Sequence, residues 1–180
     1  MKSNFLFLQN RFAVLCEIGQ LAEKYLYSDT NSCLIKLGMF GETVVNLMLQ
    51  LDNISPPEFD NTHANRIRLL KREGMIPTEI DNILYSLRKS RNDAIHANYD
   101  DLEKCKTLLQ MAHNLGVWFM QVYGDFGIII SEFVLPQENE TNLASVIEEQ
   151  EKLIAQLTDK IKDTKSENIA TSERIKRAND

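Results

Sequence analysis

Residues 78–96 read Thr-Glu-Ile-Asp-Asn-Ile-Leu-Tyr-Ser-Leu-Arg-Lys-Ser-Arg-Asn-Asp-Ala-Ile-His. Apolar residues recur there at three- and four-residue steps, a spacing that is typical of an amphipathic helix. Thr78 can cap the first turn, acidic residues follow it, and basic residues gather near the end, an order that the helix dipole favours. The segment therefore predicts one helix. Its buried stripe is expected to consist of Ile80, Ile83, Leu84, Leu87 and Ile95.

The same helical spacing occurs on both sides of this segment, with turn-forming residues between the helices. The further helical segments are residues 5–27, 34–51, 61–73 and 102–123. Gly38 and Gly41 interrupt the second of these helices, and we interpret them as places where a neighbouring helix approaches closely. The predicted fold class is therefore all-α, a bundle of about five helices.

Two further segments follow the predicted bundle, which spans residues 1–125. Residues 126–140 are rich in β-branched and aromatic side chains, and a single strand would have no partner, so we predict an extended arm or linker. Residues 141–180 are rich in Glu, Lys, Gln, Ser and Asn, and we predict a long solvated helix with weak coiled-coil character. The seam of that helix would carry Ile147, Ile154, Leu157, Ile161 and Ile175.

The charge of the chain limits its partners. A net charge of −6 at neutral pH argues against non-specific binding of the whole chain to nucleic acid or to an anionic membrane. Any site for a polyanion must therefore be local. Seven basic residues lie between positions 66 and 91, and they are either such a site or the solvated faces of two helices. They are Arg66, Arg68, Lys71, Arg72, Arg88, Lys89 and Arg91.

Three cysteines, Cys16, Cys33 and Cys105, are an odd number without metal-ligand spacing, which disfavours a zinc site. They fit reduced thiols, so we expect a cytoplasmic protein. No segment reaches the length of a signal peptide or approaches the roughly 18 apolar residues of a membrane span, so we expect no membrane association. The sequence contains no glycine-rich phosphate loop, and it predicts neither a cofactor nor a metal.

Most of the chemistry in the sequence is concentrated in Arg91, Asn92 and His96. A guanidinium, an amide and an imidazole suit phosphate binding and proton transfer. On a regular helix Arg91 and His96 are about 140° apart around the axis and about 7.5 Å apart along it, so they share no face by default. They converge if the arginine wraps round the helix, if the helix ends between them, or if a symmetric dimer combines two copies. A symmetric dimer would place the two arginines and the two histidines around one groove. An imidazole in that groove could take a proton from a ribose 2′-hydroxyl without a metal.

A structural role is the alternative for the same residues. Asn92 and His96 can cap the end of the helix, while Arg91 pairs with Glu42 or with another acid. The other two histidines of the chain have no neighbours comparable to those of the motif, and we expect both to be structural. They are His63 and His113.

At these residues the sequence resembles a known superfamily. The pattern Arg91-Asn92-x-x-x-His96 on a helix of an all-α domain is similar to the Arg-x4-6-His signature of the HEPN superfamily. Many members of that superfamily are metal-independent ribonucleases that act as dimers. The resemblance implies that Arg91 and His96 are catalytic if the chain shares this activity.

A second resemblance is closer. The segments Asn4-Phe-Leu-Phe-Leu-Gln9 and Leu87-Arg-Lys-Ser-Arg-Asn-Asp-Ala-Ile-His96 resemble the helical domain at the N-terminus of type I restriction endonuclease R subunits. The resemblance extends over roughly residues 4–125, whereas the tail is similar only in its helical, Glu- and Lys-rich character. This resemblance implies that the chain corresponds to part of a much longer polypeptide.

One position departs from the R-subunit pattern, which is close to Arg-x-x-Gly-Asn-x-Ala-x-His. The matching residues here are Arg88, Asn92, Ala94 and His96. Arg91 stands where glycine is expected, so it completes the ribonuclease-type spacing at a position that the closer relatives leave empty. Glu42 matches the place where such domains often carry an acid that faces the motif, which implies an ion pair with Arg88 or Arg91.

Three hypotheses follow. The one we favour is a non-catalytic helical module of a type I restriction R subunit, serving in assembly or nucleic-acid handling with other restriction-modification subunits as partners. The second is a HEPN ribonuclease that uses Arg91 and His96, with Arg88, Asn92 and Glu42 in binding or supporting roles. The third is a helical homodimerisation module without a nucleic-acid role.

Overall fold

A computed structural model describes residues 2–56, 58–97 and 101–138, without the side chains of His96 and Ala97. Five α-helices pack together in this part of the chain, which contains no strand, and the predicted all-α class is confirmed. The helices are α1 (Ala13–Tyr25), α2 (Thr30–Leu51), α3 (His63–Arg72), α4 (Thr78–Ala97) and α5 (Leu102–Tyr123). The predicted C-terminal helix, residues 141–180, lies outside the described residues.

Side-chain caps fix where three of the helices begin. The carboxylate of Asp29 accepts a hydrogen bond from the Ser32 backbone N–H, 2.9 Å away, at the start of α2. Asp101 does the same for the Lys104 N–H at the start of α5, also at 2.9 Å. The Thr62 hydroxyl caps the start of α3 in the same way, by accepting a hydrogen bond from the Asn65 backbone N–H. Such a cap stabilises a helix by about 1 kcal/mol, because it satisfies a backbone donor that has no partner in the first turn.

The prediction of one helix over residues 5–27 is wrong. A short 3₁₀-helix, Leu6–Leu8, comes first, and α1 begins only at Ala13. Phe12 separates them with φ −136° and ψ 60°, which is not a helical conformation. The break allows Phe5 to turn into the bundle, where it is completely buried and its ring covers Gly19 of α1.

α2 is the central helix, and it contacts each of the other four. By length and composition alone α2 could cross a membrane, so the expectation that no segment approaches a membrane span is wrong. A buried core helix has the same composition, and 56% of the apolar window of α2 is buried inside the bundle. Packing against its neighbours thus accounts for the apolar character of α2.

The predicted close approach of a helix to the two glycines of α2 is confirmed. A Cβ atom built on Gly38 would lie 2.3 Å from the Cβ of Arg91, and one built on Gly41 would lie 3.3 Å from the Leu87 Cδ1. Both neighbours belong to α4. The missing side chains therefore bring α2 and α4 together along the segment that carries the motif.

The buried stripe of α4 differs from the prediction at one position. Four of the five predicted residues are buried, but Ile95 is 54% exposed, and Ala94 takes its place in the core with 2% exposure. A helical turn of about 3.6 residues places position 94, rather than 95, in line with Leu87 and Ile83, because steps of seven and eleven residues are close to two and three whole turns.

An arm without helix or strand, residues 125–138, follows α5. The Asn4 side chain accepts a hydrogen bond from the Val134 backbone N–H at 2.9 Å and donates one to the Val134 carbonyl at 2.8 Å. The Tyr27 hydroxyl donates to the Pro136 carbonyl at 2.6 Å. The chain divides into two units, Met1–Gln137 and Glu138–Asp180, so these bonds lie within the first unit.

Candidate functional site

Arg91 points from α4 towards α2. One of its terminal nitrogens, Nη1, lies 3.0 Å from the Glu42 Oε2, and the two side chains are 31% and 30% exposed. This ion pair is the one that the sequence led us to expect as the alternative to a free arginine. At partial exposure it stabilises the bundle only modestly, but it compensates the charge of the guanidinium.

The stem of Arg91 has a packing role as well. Its Cβ, Cγ and Cδ atoms occupy the space next to Gly38 on α2, at distances of 2.3 to 2.8 Å from the position that a glycine substituent would take. The Arg91 Nε is buried and has no hydrogen-bond partner among the described residues. Arg91 therefore fastens α4 to α2 and still has one donor that nothing in the described part of the chain uses.

The structure places the other predicted residues as follows. The Arg88 guanidinium lies over the Tyr85 ring, with its carbon 5.5 Å from the ring centroid. Asn92 is exposed. His96 belongs to the last turn of α4, and its side chain lies outside the described residues. The structure thus joins Arg91 to Glu42, while the predicted meeting of Arg91 with the His96 imidazole stays a prediction.

His63 is a residue of this region that the motif does not include. It is the first residue of α3, a helix that contacts both α2 and α4. The side chain is half-buried, and both of its ring nitrogens are buried without a hydrogen-bond partner in the described structure. Such buried polar atoms are rare, because a buried donor or acceptor normally finds a partner.

The electrostatic surroundings of His63 are those of the motif. Burial lowers the pKa of His63 to about 4; the carboxylate of Glu42 opposes this shift, and three arginines add to it. Those arginines are Arg88, Arg66 and Arg91. The imidazole is therefore neutral at neutral pH and carries one donor and one acceptor. The expectation that His63 lacks neighbours comparable to those of the motif is wrong.

A signal for this contact was present in the sequence. Only five residues, 73–77, connect α3 to α4, and a short connection makes two helices antiparallel neighbours. His63 lies nine residues before the end of α3, and Leu87 lies nine residues after the start of α4. Counting outward from the turn therefore pairs His63 with the Leu87 and Arg88 region.

Arg66, three residues after His63, is held by neutral groups. Its Nη1 donates to the Asn46 Oδ1 and its Nε donates to the Asn61 Oδ1, both at 2.7 Å. No carboxylate among the described residues forms an ion pair with Arg66 or with Arg88. We call the following residues the His63 cluster: Glu42, His63, Arg66, Arg88 and Arg91.

The His63 cluster contains three guanidinium groups, one carboxylate and a neutral imidazole. Its local charge is positive although the whole chain is acidic, so it attracts anions at short range. Within the described ranges no group of three histidine, cysteine or acidic side chains could hold a metal ion. The chemistry that this arrangement supports is the binding of a phosphate-like group.

His113 behaves as the sequence predicted. It is 4% exposed in the core, where Phe5, Phe7 and Phe133 surround its ring at centroid distances of 5.4 to 6.0 Å. Burial lowers its pKa, and a hydrogen bond with Asn114 opposes that shift. Its ring contacts are aromatic, and the charge that acts on it is that of Glu23 rather than those of the motif, so the two histidines that looked alike in the sequence occupy different environments.

Two comparisons relate the chain to other proteins. The model of a family described as "Domain of unknown function (DUF4145)" matches residues 20–163. The chain is also 35% identical, over 143 residues, to the type I restriction enzyme EcoKI endonuclease subunit of Escherichia coli strain K12. That similarity covers 77% of the chain and 12% of the relative, so the chain spans a small part of the longer protein. No solved structure matches the chain.

Proposed function

The chain belongs to the family described as Domain of unknown function (DUF4145), and from this premise we propose that it is a non-catalytic helical module of a type I restriction-modification system. The similarity to part of an endonuclease subunit supports the assignment to such a system. In this role its partners are the other restriction-modification subunits, and it works in the cytoplasm. Its task there is to handle nucleic acid within a larger assembly.

One observation carries the non-catalytic part of the proposal. Arg91, the arginine of the ribonuclease-type motif, is paired with Glu42 and packed against Gly38. An arginine that stabilises a reacting phosphate acts most strongly when its charge is directed at that phosphate rather than at a carboxylate of the protein. Because the charge of Arg91 is already compensated, its contribution is to hold α2 and α4 together.

The handling of nucleic acid is supported by the uncompensated arginines. Arg66 and Arg88 are held by amides and by an aromatic ring rather than by acids. They therefore keep their charge for an external anion. The overall charge of −6 confines the attraction to this part of the surface, which suits contact with a few phosphates rather than general binding.

The test is to incubate the purified chain with labelled RNA or duplex DNA in EDTA while the salt concentration rises from about 50 to about 200 mM. We expect binding that weakens as salt rises and no cleavage. Metal-independent cleavage of RNA that is lost in His96→Ala would overturn the proposal in favour of the HEPN ribonuclease. If neither nucleic acid binds at the lowest salt, the proposal is also wrong, and a mass measurement in solution would then test a homodimerisation module.

A further inference from the structure

We propose that the His63 cluster is a binding site for a phosphate group of nucleic acid, in which Arg66 and Arg88 supply charge and His63 supplies a hydrogen bond. This inference rests on the proposed function and assigns residues to it. It also replaces the expected imidazole of the motif, His96, with one from another helix. The site lies where α3 contacts α2 and α4.

The first support is the concentration of unsatisfied polar atoms. Five buried side-chain atoms in the described residues have no hydrogen-bond partner, and three of them belong to the His63 cluster. They are the His63 Nδ1, the His63 Nε2 and the Arg91 Nε. A group of buried polar atoms without partners is unfavourable unless something outside the protein completes it. A phosphate oxygen is an acceptor that can do so for the donors among them.

The second support is the balance of charge. Glu42 compensates Arg91, which leaves two guanidinium groups without a carboxylate in the described part of the chain. Asn46 and Asn61 hold Arg66, and the Tyr85 ring holds Arg88, so both guanidinium groups are oriented before any ligand arrives. Two oriented guanidinium groups match the charge and the several oxygens of one phosphate.

The third support is the protonation state of His63. At neutral pH the ring is neutral, so it can donate one hydrogen bond without adding a buried charge. Since the ring is only half-buried, its side chain can rotate to turn a nitrogen towards the ligand. A phosphate beside the ring favours the protonated form, as Glu42 already does, and opposes the three arginines. Binding must therefore raise the pKa of His63.

That linkage gives a direct experiment with inorganic phosphate as the probe. The imidazole resonances of the full chain are titrated with acid by NMR, without and with phosphate. We expect the midpoint of His63 to move upward from about 4 when phosphate is present, while His113, buried among aromatic rings, does not move. If His63 does not respond, or if both histidines respond equally, the inference is wrong.

Four variants that each remove one positive charge test which arginines bind the phosphate. Arg66→Gln and Arg88→Gln should each reduce the response of His63 to phosphate. Arg68→Gln and Lys89→Gln remove the same charge from neighbouring exposed positions and should leave the response intact. Unfolding curves verify that each variant is folded. Equal responses in all four variants would contradict the assignment.

Binding of a labelled oligonucleotide separates this inference from the proposed function. We expect Arg66→Gln and Arg88→Gln each to weaken binding several-fold and to lower the slope against log salt by about 1 more than the control variants do. Binding that is equally strong in all variants would overturn the site while leaving the proposed function intact. A phosphate response of His63 without oligonucleotide binding would overturn the assignment to nucleic acid.

Discussion

The imidazole of His63 is neutral at neutral pH because its burial disfavours the charged form. Its pKa in the folded chain is about 4, below the value of 6.5 for an unperturbed histidine. Between these values the unfolded chain binds more protons than the folded chain. The contribution of His63 to stability is therefore fully present above about pH 6.5 and is lost as the pH falls towards 4.

His63→Gln should remove this part of the pH dependence. We expect the urea midpoint of the wild-type chain to fall more steeply than that of the variant when the pH is lowered from about 7 to about 5. His113, whose pKa is also lowered by burial, adds a slope of the same sign to both proteins. Identical slopes in the two proteins would show that His63 is not buried as described.

At the scale of single residues, sequence reasoning succeeded where chemistry alone restricts the choice. Arg91 requires an acid if it is partly buried, and Glu42 was one of few acids on an apolar segment, so their pairing could be predicted. The role of His63 was missed, although the short connection between α3 and α4 records the register that brings His63 towards Arg88. No spacing within the motif records that register.

The pair α2 and α4 is the central element of the site. Gly38 and Gly41 lie on the face of α2 that contacts α4. The nearest atom of α4 would lie about one ångström closer to a Cβ atom on Gly38 than to one on Gly41. At Gly38 a methyl group would meet the Cβ of Arg91, which cannot rotate away. At Gly41 it would meet the end of the Leu87 side chain, which can.

Gly38→Ala and Gly41→Ala should therefore differ although both replace a glycine in the same helix. Each gains about 1 kcal/mol of helix propensity. Gly38→Ala must also separate the helices, and overpacking of this kind costs about 1–3 kcal/mol, so we expect a net loss of stability. Gly41→Ala should stay within about 1 kcal/mol of the wild-type chain in urea unfolding. A larger loss in Gly41→Ala than in Gly38→Ala would contradict the packing described.

The helices themselves were largely predictable from the sequence. The bounds expected for α5, residues 102–123, are those of the structure, because a clear apolar period is framed by Asp101 and Gly124. The break before α1 was missed, since the apolar residues on either side of Phe12 keep a helical spacing. Periodicity reports which face is buried, and it does not report where the backbone leaves the helix.

The three thiols of the chain lie inside the helical bundle. Cys16, Cys33 and Cys105 are buried, and each is a reduced thiol rather than part of a disulfide. A hydrogen bond with Cys105 and then burial raise the pKa of Cys33, while burial raises that of Cys16. Since only the thiolate reacts quickly, none of the three should react with a thiol reagent until the bundle opens.

Thiol labelling therefore measures the opening of the bundle as a whole. We expect almost no fast labelling of the native chain at neutral pH and three thiols after denaturation. Gly38→Ala should label faster than the wild-type chain, in proportion to its loss of stability. Rapid labelling of any cysteine in the native wild-type chain would show that the core is not closed around it.

The route of the arm could not be read from the sequence at this scale. Its apolar and β-branched residues indicated an extended segment, but the partners of that segment, Asn4 and Tyr27, lie more than 100 positions away. Contacts of this kind depend on the finished bundle. The membership of Val134 and Pro136 in the first unit thus follows from tertiary structure alone.

The hydrogen bonds between Asn4 and Val134 also bring the two ends of the first unit close together. Its opening and closing segments lie side by side, so a short peptide bridge would make the backbone a closed ring. A ring of this kind could be cut in an exposed connection, such as residues 58–62 before α3, and retain its helix contacts. The order in which the helices follow one another would change, while their packing would not.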